Sequence, residues 1–275
     1  MHEANRTCAS VSAHAPRTYA RYVAIGDSST EGLNDPDGRG GYRGWANRLA
    51  MHVADAQAAP LLYANLAVRG RKTRDIRKQQ LAPAVAMHPD LVTVFTGVND
   101  VVRRACNVAA VARDIELMQT ACVAAGATVL TITMPDLSAV VPMARLMRDR
   151  LLALNDLVRE TCARTGAHCV DLARYPVTSD MRLWSDDRLH ANSEGHRRIA
   201  AALAHALGLP GHDTRWAEPL PLEPASSIMT RVTGEFRWTR EHFIPWLWRH
   251  ARGISSGDGM TAKRPALETV SADNV

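Results

Sequence analysis

Two rhythms of apolar positions alternate along this chain. Five short stretches, 22–26, 61–67, 91–97, 127–133 and 167–173, are almost unbroken apolar runs, several of them rich in Val, Ile and Thr. Strands buried on both faces of a parallel sheet read this way, because neither face meets water. Between the runs, apolar positions recur at the spacing of one helix face. Val108, Val111, Ile115, Met118 and Cys122 make one such stripe. Met143, Met147, Leu151, Leu154 and Val158 make another, with Pro142 where a first helical turn tolerates a missing N–H. A last helix is predicted from the cap pair Asn192 and Ser193, burying Ile199, Leu203 and Leu207. Strand and helix alternate throughout, which predicts an α/β sandwich around a parallel sheet.

The texture changes at Leu209. Of the 275 residues, 209–275 hold six of the 14 prolines and four of the six tryptophans, and the charges of that stretch cancel. Its segment 237–248, RWTREHFIPWLW, is aromatic but interrupted by Pro245 and several charges. We read it as packing back on the sheet domain, with docking to a membrane surface or a partner as the sharper alternative. The last dozen residues read as a flexible end. The chain thus divides into a poorly ordered lead-in at 1–19, a sheet domain at 20–208 and a Pro/Trp-rich extension at 209–275.

Charge and cysteine change the picture little. The formal net charge is +5, but Lys72, Lys78 and Lys263 are the only lysines among the 33 basic residues, and the arginines are scattered. Without a basic stripe and interleaved aromatics, no nucleic-acid partner is expected. No apolar run of about 18 residues exists to span a membrane. The first residues lack the apolar core of a signal peptide, so a cytoplasmic location is expected. Cys8, Cys106, Cys122, Cys162 and Cys169 are irregularly spaced and form no C-x-x-C. They are expected as reduced thiols, with a Cys162–Cys169 bridge as the alternative.

In an open parallel sheet, functional groups gather just past the carboxyl ends of the strands. After the first predicted strand comes Gly26-Asp27-Ser28-Ser29-Thr30-Glu31-Gly32. A serine at such a strand-to-helix turn presents its hydroxyl beside unpaired backbone N–H groups, which suits a nucleophile, although the spacing is not G-x-S-x-G. Gly70 follows the second predicted strand, and Gly97-Val98-Asn99-Asp100 follows the third. A glycine lets backbone N–H approach a ligand, and an asparagine amide can donate to an oxyanion. Near the end of the sheet domain lies Asp186-Asp187-Arg188-Leu189-His190. A carboxylate three residues before a histidine can fix its tautomer and stabilise its cation. Taken singly, each piece is ordinary turn or cap chemistry.

In order, the four pieces resemble the signature blocks of the SGNH hydrolases, also called the GDSL esterase/lipase family. The blocks are Gly26-Asp27-Ser28, Gly70, Gly97-x-Asn99-Asp100 and Asp187-x-x-His190, and the resemblance covers roughly 20–208. The run near Trp45 and Asp187-Arg188-Leu189-His190 further resemble an actinobacterial-type branch, as does a tail from Ser255 to Pro265. The resemblance implies a flavodoxin-like three-layer α/β/α sandwich with a five-stranded parallel sheet, matching the five runs. It implies Ser28 as nucleophile, His190 as general base and then acid, and Asp187 as the residue that orients His190, with Asp186 the rival carboxylate. It implies an oxyanion hole of the Ser28 and Gly70 backbone N–H groups and the Asn99 side chain, with Asp27 and Asp100 organising loops. It implies no metal and no organic cofactor, and a small ester or acylated substrate. One position departs: Ser29 stands where the family usually carries Leu or Phe, which bears on substrate preference.

The leading function is therefore a serine carboxylic-ester hydrolase working through an acyl-enzyme. An acyltransferase using the same triad is the alternative, followed by a non-catalytic binding protein on the same fold. A nucleotide-binding protein ranks lowest, because neither G-x-G-x-x-G nor a Walker lysine is present. Gly38, Gly40, Gly41 and Gly44 read instead as a flexible active-site loop. Trp238, Phe243, Trp246 and Trp248 are candidates to line or cover an acyl pocket.

Overall fold

In the computed structural model, which describes residues 17–222, 257 and 259–271, each of the five apolar runs contains a strand. These are β1 (Arg21–Gly26), β2 (Leu62–Asn65), β3 (Leu91–Phe95), β4 (Thr128–Ile132) and β5 (His168–Val170). The helices are α1 (Ser28–Glu31), α2 (Gly44–Asp55), α3 (Thr73–Ala86), α4 (Val98–Val101), α5 (Val108–Ala124), α6 (Arg148–Thr165) and α7 (Ser193–Ala206). Asn107 caps α5 by accepting from Ala110 N–H, and Asn192 caps α7 by accepting from Gly195 N–H. The stripe from Met143 is split. Pro142–Leu146 is a 3₁₀ stretch, and the α-helix begins only at Arg148. Such tighter turns are common at helix N-termini.

The sheet departs from the five-stranded expectation. Its order is β5-β4-β3-β1-β2-β6, and the sixth strand, β6 (Arg264–Thr269), runs antiparallel to β2 at the edge. Residues 264–269, within the stretch read above as a flexible end, thus supply an edge strand. Pro265 is tolerated there, because an edge strand leaves some N–H positions unpaired. Arg264 is buried, with its guanidinium 5.4 Å from the centre of the Tyr63 ring.

Strand residues alternate between two cores, as the pleat requires. Tyr22, Ala24, Tyr63 and Phe95 pack with Trp45, Leu49 and Leu203 from α2 and α7. Val23, Ile25, Ala64, Val92 and Val94 pack with Ile76, Ile115, Met118 and Leu154 from α3, α5 and α6. The result is a three-layer α/β/α sandwich. Because β1 pairs with both β2 and β3, the chain reverses its direction across the sheet at β1. A crevice opens past the carboxyl ends of strands at such a point.

His196 of α7 locks the layer beneath this crevice. Its Nδ1 accepts from Trp45 N–H at 3.1 Å, and its Nε2 meets the Leu33 carbonyl at 2.9 Å. A neutral ring with the proton on Nε2 satisfies both contacts. Burial pushes the His196 pKa down from 6.5 to about 4. The unfolded chain therefore takes up this proton near pH 6.5 and the folded chain only near pH 4, so acid favours unfolding across that window. The stabilisation is complete above pH 6.5, and about 3 kcal/mol of it is lost on descending to pH 4. Urea unfolding between pH 7 and pH 4 should show a shallower loss of stability in His196→Gln than in the parent. Parallel slopes would contradict this assignment.

Among the described residues, no helix is long and apolar enough to cross a membrane. Cys106, Cys122, Cys162 and Cys169 are free thiols, so the alternative bridge is not formed, and Gln119 Nε2 donates to Cys162 Sγ at 3.3 Å. The aromatic segment 237–248 lies outside the described residues.

Candidate active site

The site begins where β1 leaves the sheet. Gly26 is gripped by Gln80 of α3, whose side chain accepts from Gly26 N–H at 2.8 Å and donates to its carbonyl at 2.9 Å. A Cβ on Gly26 would lie 2.2 Å from Thr30 Oγ1 and 2.5 Å from the Phe95 carbonyl, so only glycine lets the turn close. Asp27 caps α1 by accepting from Ser29 N–H, and Ser28 opens the helix. Helix α1 ends one turn later at Gly32, where the backbone crosses that of Gly44 so closely that a Cβ on Gly44 would sit 2.3 Å from Gly32 Cα. Of the glycines at 38–44, Gly44 is therefore a packing device. Asp37 also orders them, accepting from the N–H groups of Arg39 and Gly41.

Ser28 Oγ lies 2.7 Å from His190 Nε2, and His190 Nδ1 lies 2.7 Å from Asp187 Oδ2. The two residues facing Ser28 come from a tight turn before α7. There Ser185 N–H donates to the His190 carbonyl, Arg188 N–H donates to the Ser185 carbonyl, and Arg188 takes the left-handed φ of 57°. Asp187 is held from every side. Its Oδ1 accepts from Leu189 N–H, His190 N–H and Ser185 Oγ, and its Oδ2 also accepts from Asn34 Nδ2 at 2.8 Å. Burial opposes the charge on Asp187. The hydrogen bond and charge of His190 and the two N–H donors outweigh burial and hold the carboxyl well below the usual range. An ionised Asp187 can only accept, so His190 Nδ1 carries the proton and bare Nε2 faces the serine hydroxyl. Asp186 is exposed, and Asp187 is the carboxylate bonded to the ring.

A second wall rises from the loop after β2. Arg69 is tied to buried Glu31, which accepts from Arg69 N–H at 2.8 Å and pairs with its guanidinium. That guanidinium also lies 5.4 Å from the centre of the Tyr42 ring. Gly70 follows with a left-handed φ of 73°. Asn99, after β3, donates through Nδ2 to the Arg71 carbonyl at 3.0 Å and to Asp27 Oδ2 at 3.2 Å. Asp100 accepts from Thr73 N–H and Thr73 Oγ1 at the start of α3. Burial pushes the Asp27 carboxyl up to about 7, only partly offset by its bond from Ser29 N–H. Ser28, His190, Asp187, Gly70 and Asn99 thus come from four separate loops to one end of the sheet. Among the described residues, no group of three His, Cys, Asp or Glu side chains is placed to hold a metal.

Residues 24–198 match the sequence model of the GDSL-like lipase/acylhydrolase family. The chain belongs to this family. It is accordingly a carboxylic ester hydrolase by family membership. Solved structures share the fold at low identity. An acetylxylan esterase from Geobacillus stearothermophilus, solved as a catalytic mutant, is 16% identical, covers 72% of this chain and 96% of its own, and gives a TM-score of 0.56. An alpha/beta hydrolase enzyme from the metagenome of Lake Arreo, Spain, is 22% identical, with 69% and 95% covered and a TM-score of 0.56. The psychrotrophic esterase EstA from Pseudoalteromonas sp. is 16% identical, with 68% and 96% covered and a TM-score of 0.50. No curated protein matches the chain in sequence.

Sequence reading did not find Asn34, Ser185, Glu31 or Arg69. Asn34 carried a signal of a kind: asparagine adopts the left-handed φ of 67° found there more readily than most residues. Glu31 stands one helical turn from Ser28, which also pointed to this end of the sheet.

Proposed function

We propose that this acylhydrolase cleaves small carboxylic esters through an acyl-enzyme on Ser28. The observation that carries the reading is the unbroken hydrogen-bond chain from Ser28 Oγ through His190 to Asp187. Ser28 attacks the ester carbonyl while His190 Nε2 takes the hydroxyl proton. Asp187 stabilises the resulting imidazolium without itself being protonated. The tetrahedral oxyanion is held by the backbone N–H groups of Ser28 and Gly70 and by Asn99 Nδ2, which turns to it the proton now donated over 3.2 Å to Asp27 Oδ2. His190 then passes its proton to the departing alcohol, which leaves Ser28 acylated. Water, deprotonated by His190, attacks the acyl carbonyl and releases the acid, and the proton returns to Ser28.

Because the similar folds include an acetylxylan esterase, an acetyl ester is the first substrate to offer. A fluorophosphonate should label Ser28 stoichiometrically, and the labelled protein should lose hydrolysis of p-nitrophenyl acetate in proportion. Labelling elsewhere, or hydrolysis that survives full labelling, would overturn the reading. In Asn99→Ala, kcat should fall by about 10² to 10³-fold with little change in KM, the usual cost of one oxyanion donor. A loss confined to KM would assign Asn99 to substrate binding.

A further inference from the structure

The last described segment returns to the wall that faces Ser28. β6 pairs antiparallel with β2, with Arg264 opposite Asn65, so the start of β6 lies beside the end of β2. The residues before β6 therefore lie where β2 gives way to the loop 66–71. Gly257 is buried against that loop, and a Cβ there would sit 2.0 Å from the Arg69 carbonyl and 3.3 Å from Val68 Cγ1. Arg71 Nη2 reaches back to the Gly257 carbonyl at 3.4 Å. Lys263 Nζ donates to the carbonyls of Tyr42 and Arg43, both at 2.8 Å. Tyr42 is the ring beside the Arg69 guanidinium. One segment thus touches the loop on both flanks of Gly70 and the chain that supports it.

We infer that Gly257 and Lys263 are positioning residues for the oxyanion loop. Gly257 backs the Arg69–Gly70 peptide from behind, and Lys263 fixes the Tyr42–Arg43 chain on which Arg69 rests. Glu31 and Asn99 hold the same loop from the sides facing Ser28. The inference rests on the acyl-enzyme reading, because it assigns both residues to the placement of the Gly70 N–H. Neither Gly257 nor Lys263 touches the reacting atoms in this scheme. They act through the loop.

The test is Gly257→Ala. Gly257 does not take a left-handed φ, so alanine brings no backbone penalty. Its main demand is that the Arg69 carbonyl move, with a smaller adjustment of Val68 Cγ1. A displacement on the order of 1 Å at an oxyanion donor costs about 10²-fold, so kcat on p-nitrophenyl acetate should fall about 10 to 10²-fold. KM should stay within about twofold, as expected for an interaction made only in the transition state. Binding of an alkylboronic acid, whose tetrahedral adduct places an oxygen in the hole, should weaken by the same factor as kcat. A merely structural role would not tie those two losses together. Lys263→Met removes the two carbonyl contacts without adding volume at the loop. It should lose kcat in the same direction by a smaller factor, and it decides the matter if Gly257→Ala does not fold. Met260→Ala, at an exposed side chain in the same turn, should behave as the parent. A folded Gly257→Ala or Lys263→Met with parental kcat and boronate affinity, in a protein whose turnover still requires Ser28, would overturn this inference alone. Turnover that survives Ser28→Ala would overturn the acyl-enzyme reading and this inference with it.

Discussion

Replacing Ser28 with alanine should lower hydrolysis of p-nitrophenyl acetate by about 10⁴-fold or more while leaving the fold in place. The hydroxyl is the only atom removed, and the backbone hydrogen bonds of α1 do not depend on it. Without it no acyl-enzyme forms, and what remains is the modest catalysis of the oxyanion donors and of binding itself. The adjacent serine provides the control. His190 Nε2 meets the Ser28 hydroxyl, while Ser29 contributes its N–H to the Asp27 cap. Ser29→Ala should therefore keep turnover within a few-fold of the parent, any change appearing in the choice between acyl groups. Turnover of an unfolded or contaminated sample is excluded by matched circular dichroism and by the absence of fluorophosphonate labelling in Ser28→Ala. A folded Ser28→Ala with undiminished hydrolysis would remove Ser28 from the chemistry.

Asp187→Asn should be nearly as severe, with a loss of about 10⁴-fold near neutral pH. The reason is the tautomer. The ionised carboxylate forces the proton of His190 onto Nδ1 and leaves Nε2 free to accept from Ser28. The other bonds to Asp187 predict which atom of the new amide turns where. Its oxygen can still satisfy Leu189 N–H, His190 N–H and Ser185, while its NH₂ takes the place of Oδ2 beside the ring. An NH₂ there would donate to Nδ1 and push the ring proton onto Nε2, the wrong nitrogen for a base. That NH₂ would also face the Asn34 amide, which now donates to Oδ2. Stability should therefore fall as well. Asp186→Asn, at an exposed position, should leave both activity and stability near parental. If instead Asp186→Asn carries the larger loss, the assignment of the orienting carboxylate fails.

Much of this was legible from local patterns. The five strands were visible because a parallel sheet covered by helices buries both faces, leaving apolar runs that polar loops interrupt. Strand ends pointed to the loops that hold Ser28, Gly70 and Asn99, because ligands meet an open sheet at its carboxyl edge, and only the ordered resemblance to the family's blocks gave those residues roles. Asp187 and His190 stood out because their spacing lets a carboxylate reach a ring within one turn. Asn34 did not, since nothing local distinguishes it from any loop asparagine. Its amide matters only because a turn far along the chain brings Asp187 beside it. Glu31 and Arg69 are likewise ordinary in sequence, and they become an ion pair only when α1 meets the loop after β2. The final strand was read as a loose end because six residues with a proline carry little periodic signal. Its order comes from an unpaired edge of β2, a partner that exists only once the sheet has formed.

The sequence by itself therefore determined the α/β class and the alternation of strands and helices, and through a family resemblance it singled out the four loops proposed to carry reactive groups. The class and the alternation follow from interactions between near neighbours: apolar periodicity, caps and turn glycines. Tertiary structure decided the direction and edge of the sixth strand, the tautomer of His190, the clamp on Asp187 and the contacts of Gly257 with the loop after β2. Each of these depends on groups distant in the chain meeting at hydrogen-bond or van der Waals range. A linear pattern does not encode such contacts until folding closes the loops between them.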